Sequence, residues 1–334
     1  MARCPTRIDF TGGFTDILPF RAKKWVHHIN LAIDLPTTVL IQHIEEPVIR
    51  IRDENKKISI KALSSKEIPL GRFSSVKTAL NKFGIDKNVS ITIEARAPCG
   101  AGLGTSGALN VALVAALAAF ARKNRPTRPM TLAMLAVEIE HSSGALSGLQ
   151  DQFAAATGGL NQFSFYGLKS HAEPLQLSTR QIESIEQHMF ILYPGGRRLS
   201  TEIATDVMTA YRRGSPKVRA ALNCLNNLAP DIWTALRLMD WKNLSSLLNY
   251  VRLQQLRLHP GLIDAKNQMI INELGNGGIN GVKLLGGGGA STCMLTICVG
   301  EKSKEKIASI AELHNIDILP VKISTKGVEV NEKF

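Results

Sequence analysis

The chain has few aromatic residues, no paired cysteines and no apolar run long enough to cross a bilayer. Phe, Trp and Tyr make up 5% of its 334 residues. Lysine and arginine outnumber aspartate and glutamate by 40 to 28, a net charge of +12, yet they come in twos and threes such as Lys23-Lys24, Lys56-Lys57, Arg197-Arg198 and Arg212-Arg213. A basic stripe interleaved with stacking residues is missing, so no nucleic-acid partner is expected. An anionic small molecule, a nucleotide or a sugar phosphate, explains the charge as well, and a solvated basic surface does so nearly as well. The five cysteines, at 4, 99, 224, 293 and 298, are scattered with no C-x-x-C pair. Reduced thiols fit that pattern better than a disulfide frame or a zinc site. The longest apolar run is broken by Asn110 and ends at Arg122-Lys123, short of the ~20 residues of a membrane span. The opening Met-Ala-Arg-Cys-Pro-Thr-Arg-Ile-Asp lacks the apolar core of a signal peptide, so no membrane association is expected and the expected location is the cytoplasm.

A hydrophobic content of 44% with mixed charge argues for an ordered globular protein. The length suffices for two domains with sizeable cores. The densest signal is Pro98-Cys99-Gly100-Ala101-Gly102-Leu103-Gly104-Thr105-Ser106-Gly107-Ala108, between a strand-like alternation from Val89 to Ala97 and an apolar helical pattern from Leu109 to Phe120. Glycines there let the backbone approach a ligand closely. The free amides and positive dipole end of the following helix favour phosphate oxygens. The spacing is neither G-x-x-x-x-G-K-[ST] nor G-x-G-x-x-G. A plain turn remains the alternative, although four glycines with Thr105 and Ser106 exceed what a turn needs.

The pattern P-x-G-x-G-L-G-[ST]-S-[GA]-A before an Ala-rich helix resembles the ATP-binding motif of the GHMP kinases, the superfamily of galactokinase, homoserine kinase, mevalonate kinase and phosphomevalonate kinase. Two further signatures have counterparts here. One is Arg7-Ile-Asp-Phe-Thr-Gly-Gly13-Phe14-Thr15-Asp16, where an arginine precedes a Thr-Asp pair after a glycine turn. The other is the glycine cluster Gly286-Gly287-Gly288-Gly289 after a strand from Gly281 to Leu285. The resemblance implies an α+β, two-domain GHMP kinase fold. Its N-terminal half, residues 1–185, would be like ribosomal protein S5 domain 2, and its C-terminal half, residues 186–334, ferredoxin-like. It implies ATP and Mg²⁺ as cofactors and phosphoryl transfer to an alcohol group.

Site residues follow from the same resemblance. Pro98 through Gly107 would bind ATP: Pro98, Gly100, Ala101, Gly102, Leu103, Gly104, Thr105, Ser106 and Gly107. Ser106 and Glu140 would hold Mg²⁺, with Glu138 the weaker choice. Asp151, eleven residues after Glu140, would be the catalytic carboxylate, with Arg7 beside the transferred group. Gly13, Thr15 and Asp16 would contact the sugar, Arg197 a substrate phosphate, and Gly287, Gly288 and Gly289 would lie near the nucleotide phosphates. On residue chemistry alone Asp16 and Asp151 read equally as helix caps, Arg197-Arg198 as an exposed pair, and at most one of His27 and His28 can face a site because successive strand residues point oppositely. Gly-Gly-Phe-Thr-Asp with Gln150-Asp151-Gln152 is similar to the heptose-phosphate and fucose kinase branch. There heptose 7-phosphate kinase phosphorylates an anomeric hydroxyl. Phe14, in place of a third glycine, and Leu149, in place of a lysine, depart from that branch. An isoprenoid or mevalonate-type kinase and a non-catalytic nucleotide or sugar binder are the alternatives. The oligomeric state is left open.

Overall fold

An 18-residue strand from Val26 to His43, rich in Ile, Leu, Val and Thr, organises the first half of the molecule. β-Branched and apolar residues suit a pleated surface with buried faces, and this strand pairs with three others, over residues 26–31, 30–39 and 37–43. The computed structural model describes residues 1–71, 73–121, 128–196, 200–289 and 292–332. Strands β1 (Ala2–Asp9), β2 (Val26–His43), β3 (Ile49–Asp53), β4 (Ile58–Ala62), β5 (Val89–Ala95), β6 (Leu160–Tyr166) and β7 (Lys169–Leu175) form the large sheet. Within it β2 pairs antiparallel with β1, β5 and β6, while β3 runs parallel to β5. The small sheet comprises β8 (Met189–Tyr193), β9 (Val282–Leu284), β10 (Met294–Ile297) and β11 (Asp317–Leu319) in the order β11-β8-β10-β9, all antiparallel. That order, with helices between its first and second and between its third and fourth strands, is the split-βαβ arrangement of a ferredoxin-like half.

The helices are α1 (Ser74–Phe83), α2 (Thr105–Ala121), α3 (Pro129–Ser142), α4 (Gln150–Thr157), α5 (Thr179–His188), α6 (Ser200–Arg212), α7 (Pro216–Asn227), α8 (Ala229–Leu238), α9 (Trp241–Leu258), α10 (Ala265–Asn276) and α11 (Glu301–Leu313). Helix α2 is apolar on every face and lies in the core between β1, β2, α3 and α4, the expected fate of a helix without a polar stripe. It starts at Thr105, four residues earlier than its apolar pattern, so the glycine loop feeds straight into its first turn. α1 ends where expected: Gly84 takes φ 67° and caps it in the left-handed conformation.

One expectation needs correction. The last strand, β12 (Glu329–Val330), does not complete the C-terminal sheet but pairs with β1. The stretch before it returns to the first half as well. The N–H of Asp34 donates to Lys322 and that of Gly159 to Ser324, at 2.7 Å each, and Ile33 bridges Ile323. The division at residue 185/186 falls inside α5, whose Ser178 and Gln181 form a reciprocal capping box. Alternating polar and apolar residues in the tail suit either sheet edge, which is why local pattern could not assign it.

Candidate active site

Arg7, on β1, and the glycine loop meet first. The Arg7 main-chain N–H donates to the Leu103 carbonyl at 2.9 Å, and its Nη1 donates to the Gly102 carbonyl at 2.5 Å. The remaining guanidinium edge, Nε and Nη2, donates to Asp151 Oδ1 at 2.9 and 2.7 Å. Arg7 is 3% exposed, so this charge-assisted pair operates where water screens little. Asp151 stands in the first turn of α4 because α2 lets it: a Cβ on Gly107 would lie 2.5 Å from the Asp151 Cβ and 2.9 Å from its carbonyl carbon. Gly107 is therefore a packing residue that admits α4.

Glu140, near the end of α3, is buried on the same wall and accepts a hydrogen bond from the Gln152 amide. Burial, and then the charge of Asp151, push its carboxyl up to about 7, with Asn110, Gln152 and Ser147 opposing. Glu138 instead points outward to Lys82 at 2.5 Å and is set aside as a metal ligand. Ser106, exposed at the start of α2, and Glu140 line both cavities described below. Among the described residues no cluster of three His, Cys, Asp or Glu side chains could hold a metal by itself. The donor set of one hydroxyl and one carboxylate, with buried Asn110 Oδ1 and Gln152 Oε1 lacking partners nearby, fits a hard cation that takes most ligands from phosphates and water.

Two cavities share the wall formed by Arg7, Ser106, Glu140, Asp151, Gly286 and Gly287. The larger, about 1270 Å³, runs along Cys99, Gly100, Gly102, Gly104, Thr105 and Ser106 towards apolar Phe73, Val76, Ile93 and Leu109. The smaller, about 200 Å³, is lined by Gly13, Phe14, Asp16, Ile17, Leu146, Ser147, Gln150 and Gln152. Within the loop the roles alternate. Gly100, Gly102 and Gly104, all with φ between 75° and 81°, line the cavity, whereas Ala101 and Leu103 are fully buried. Pro98 shapes the turn by accepting from the Ala101 N–H at 3.3 Å.

The turn over residues 11–16 is placed by its own polar contacts. Asp16 Oδ2 accepts from the N–H groups of Leu149 and Gln150 at 2.7 and 2.9 Å, so it caps α4 as well as lining the smaller cavity. Thr15 does not line that cavity: its hydroxyl meets His28 Nε2 at 2.7 Å, inside the core. His28, wholly buried, also reaches the Thr11 hydroxyl at 3.4 Å. Sequence reasoning allowed at most one histidine of the pair to face a site and did not find this bracing role, which the register of β2 against the turn reveals. Leu149, also fully buried, serves through its main chain.

The C-terminal glycines divide. A Cβ on Gly102 would sit 2.2 Å from the Leu285 carbonyl oxygen, and one on Gly286 would sit 2.7 Å from the Gly102 Cα. The two glycine segments are thus in backbone contact. Gly286 and Gly287 reach the cavities, while Gly288 packs on Leu262 and the Gly289 N–H donates to the Leu262 carbonyl at 3.0 Å, behind them. Arg197 lies outside the described residues.

The chain is similar to several known proteins. Residues 73–159 match the family described as GHMP kinases N terminal domain. The chain is 26% identical over 338 residues to the bifunctional fucokinase/GDP-fucose pyrophosphorylase of Arabidopsis thaliana, covering 94% of the chain and 31% of that protein. It therefore spans about a third of that relative's length. It is 29% identical over 245 residues to the D-glycero-alpha-D-manno-heptose 7-phosphate kinase of Campylobacter jejuni, covering 65% of the chain and 70% of that protein. Among solved structures, a D-glycero-D-manno-heptose 1-phosphate kinase from Bacteriodes thetaiotaomicron superposes with a TM-score of 0.79 at 20% identity, over 100% of this chain and 99% of that one. The two-domain GHMP kinase fold is therefore the fold of this protein. No helix among the described residues is long and apolar enough to cross a membrane.

Proposed function

We propose that this chain is an ATP-dependent sugar kinase that transfers the γ-phosphoryl group to an acceptor hydroxyl, with the anomeric hydroxyl the one implied by the resemblance to heptose 7-phosphate kinase. The observation that carries the reading is Asp151, oriented by Arg7, on the wall common to a large cavity lined by glycine-loop backbone and a small cavity lined by polar side chains. Phosphoryl transfer asks a protein for positioning and charge neutralisation at such a junction. The names of the curated relatives, a fucokinase and a heptose phosphate kinase, support a sugar as acceptor.

In this scheme Gly100, Gly102, Gly104 and the first amides of α2 hold the phosphates, with Gly286 and Gly287 opposite. Ser106 and Glu140 would hold Mg²⁺, which supplies charge neutralisation on the phosphate oxygens. Asp151 Oδ2, the oxygen not engaged by Arg7, accepts or orients the acceptor hydroxyl proton. Arg7 faces the transferring group. Asp16, Gly13, Gln150 and Gln152 offer hydrogen-bond groups to sugar hydroxyls. Arg197 is proposed as a phosphate contact by resemblance alone.

The test is ADP release from Mg-ATP against a panel of free sugars including fucose and galactose, heptose 7-phosphate, and mevalonate, with Asp151→Asn as the blank. Turnover with one sugar and none in the blank supports the reading. Nucleotide binding without turnover on any sugar overturns the acceptor assignment, and turnover on mevalonate alone transfers the protein to the isoprenoid branch.

A further inference from the structure

A buried ion pair spans the seam between the acceptor turn and the small sheet, and the transfer scheme above makes no use of it. Asp9 ends β1 and Lys283 is the middle residue of β9; both are wholly buried. The Lys283 ammonium donates to Asp9 Oδ2 at 3.1 Å and to the Asp9 main-chain carbonyl. Asp9 Oδ1 also accepts from the N–H groups of Thr11 and Gly12 at 2.9 and 3.2 Å, which fixes the start of the acceptor turn. Gln255, equally buried, braces the same seam: its Nε2 donates to the carbonyls of Gly12 and Leu284 at 3.3 and 3.1 Å.

Arg7 and Asp9 lie two residues apart on one strand, so both side chains leave the same face of β1. Burial acts to raise the Asp9 carboxyl, but Lys283, then Arg7 and His28, bring it down to about 2. Arg7 is therefore flanked by two carboxylates. It hydrogen-bonds to Asp151 and lies within Coulombic reach of Asp9. In a site of low dielectric an unpaired carboxylate attracts the nearest guanidinium strongly. Asp9 has its own cation in Lys283, three residues before Gly286, and so does not compete for Arg7.

We infer that Lys283 is a positioning residue of the transfer site: by occupying Asp9 it leaves Arg7 committed to Asp151 and holds the acceptor turn against the glycine cluster. Without it Asp9 draws Arg7 away from Asp151. Removal of both charges takes away the competitor along with the lysine.

This inference rests on the kinase reading, and the experiment separates the two. Wild type, Lys283→Met and the double variant Asp9→Asn/Lys283→Met are compared for kcat, KM for ATP and melting temperature, using the sugar that the wild type phosphorylates. Lys283→Met is expected to lose about 30- to 100-fold in kcat, the scale of a misplaced positioning group, with KM for ATP within about threefold. The double variant regains kcat to within about fivefold of wild type, because no uncompensated charge remains. A purely structural pair would lower the melting temperature and leave kcat per folded molecule unchanged. Should Lys283→Met fail to fold, the double variant decides, since replacing both partners of a buried pair is tolerated far better than replacing one. A folded Lys283→Met with wild-type kcat, or a folded double variant more than tenfold impaired, overturns the inference. An inactive wild type would count against the kinase reading instead.

Discussion

The two cavities on either side of Arg7 and Asp151 are built in opposite ways. The larger cavity has one wall of main chain, made of glycines at positive φ, the first turn of α2 and Gly286-Gly287, and apolar side chains such as Phe73, Val76, Ile93 and Leu109 beyond it. The acceptor-side cavity is six times smaller, about 200 against 1270 Å³, and walled by side chains that each hold another in place. Asp16 caps α4 through the N–H groups of Leu149 and Gln150, and Gln152 donates to Glu140. A backbone-lined site depends on glycine spacing and little else, so it can be shared among proteins that differ everywhere else. A side-chain-lined site depends on which residue stands at each position and is where substrate choice is made.

The largest expected effect falls on Asp151, one of the residues both cavities share. Asp151→Asn keeps the shape of the wall but removes the carboxylate, and kcat should drop by ~10² or more, the range for loss of a general base. ATP affinity, measured by calorimetry, should remain within a few fold. Equal loss of both would mean that Asp151 mainly shapes the nucleotide side.

Glu140 distinguishes the two sides by its dependence on cation. Glu140→Gln should weaken Mg-ATP binding by about 10- to 100-fold while leaving metal-free ADP binding nearly unchanged. The same change should stabilise the ligand-free protein, with a definite sign in pH. The folded carboxyl is raised from 4.5 to about 7, so the folded state binds the extra proton. Its stabilising contribution is complete below about pH 4.5 and is lost as pH rises through 7. The variant's advantage in melting should therefore be absent near pH 4 and full above about pH 7.5, on the order of 1 to 3 kcal/mol. Thermal melts of both proteins across that range check it, and a constant difference at every pH would remove the buried, ionisable Glu140 from the account.

Gly102→Ala probes the backbone wall. Its φ is 81°, and the added methyl would sit 2.2 Å from the Leu285 carbonyl oxygen, so the two glycine segments must separate. The cost should be about 2 to 4 kcal/mol of stability with roughly tenfold weaker ATP binding. Gly84→Ala, which also has positive φ but open space around the new methyl, should lose only the ~1 kcal/mol of backbone strain.

How far these features were legible follows the same division. The glycine loop stood out by its own spacing, and the family motif pointed to Glu140 and Asp151; the fold brings all three to one wall. The four-stranded ferredoxin-like sheet was legible only through the family, and the return of β12 to β1 was not legible, since pairing partners far apart in sequence leave no local mark. Thr15 carried a substrate role by its place in the motif, yet its hydroxyl turns to His28. Whether a residue beside a glycine turn points into a cavity or into the core depends on φ and on register, which composition does not record. Gly107 and Gly288 were counted with the ligand-facing glycines although each is small because another chain segment, Asp151 or Leu262, presses on it.

The smallest effect on catalysis should come from Phe14, and it bears directly on how the acceptor side selects. Phe14 is held at φ 66°, a conformation that disfavours bulky side chains, and is 4% exposed. Phe14 and Ile17 both line the smaller cavity, and the backbone strain of about 1 kcal/mol at Phe14 persists only because burial of its side chain offsets it. Phe14→Gly relieves the strain and removes the side chain, for a net destabilisation of roughly 2 to 4 kcal/mol, since the lost packing of a buried Phe is about 3 to 5 kcal/mol. The glycine-loop side is untouched, so KM for ATP should not move. KM for the native sugar should rise by about tenfold or less, while a bulkier sugar at the same hydroxyl should gain activity relative to wild type. A side-by-side measurement of kcat/KM for the two sugars gives the answer. If the ratio stays fixed, Phe14 is packing for the turn, and the selecting residues must be sought among Gln150, Gln152 and Asp16.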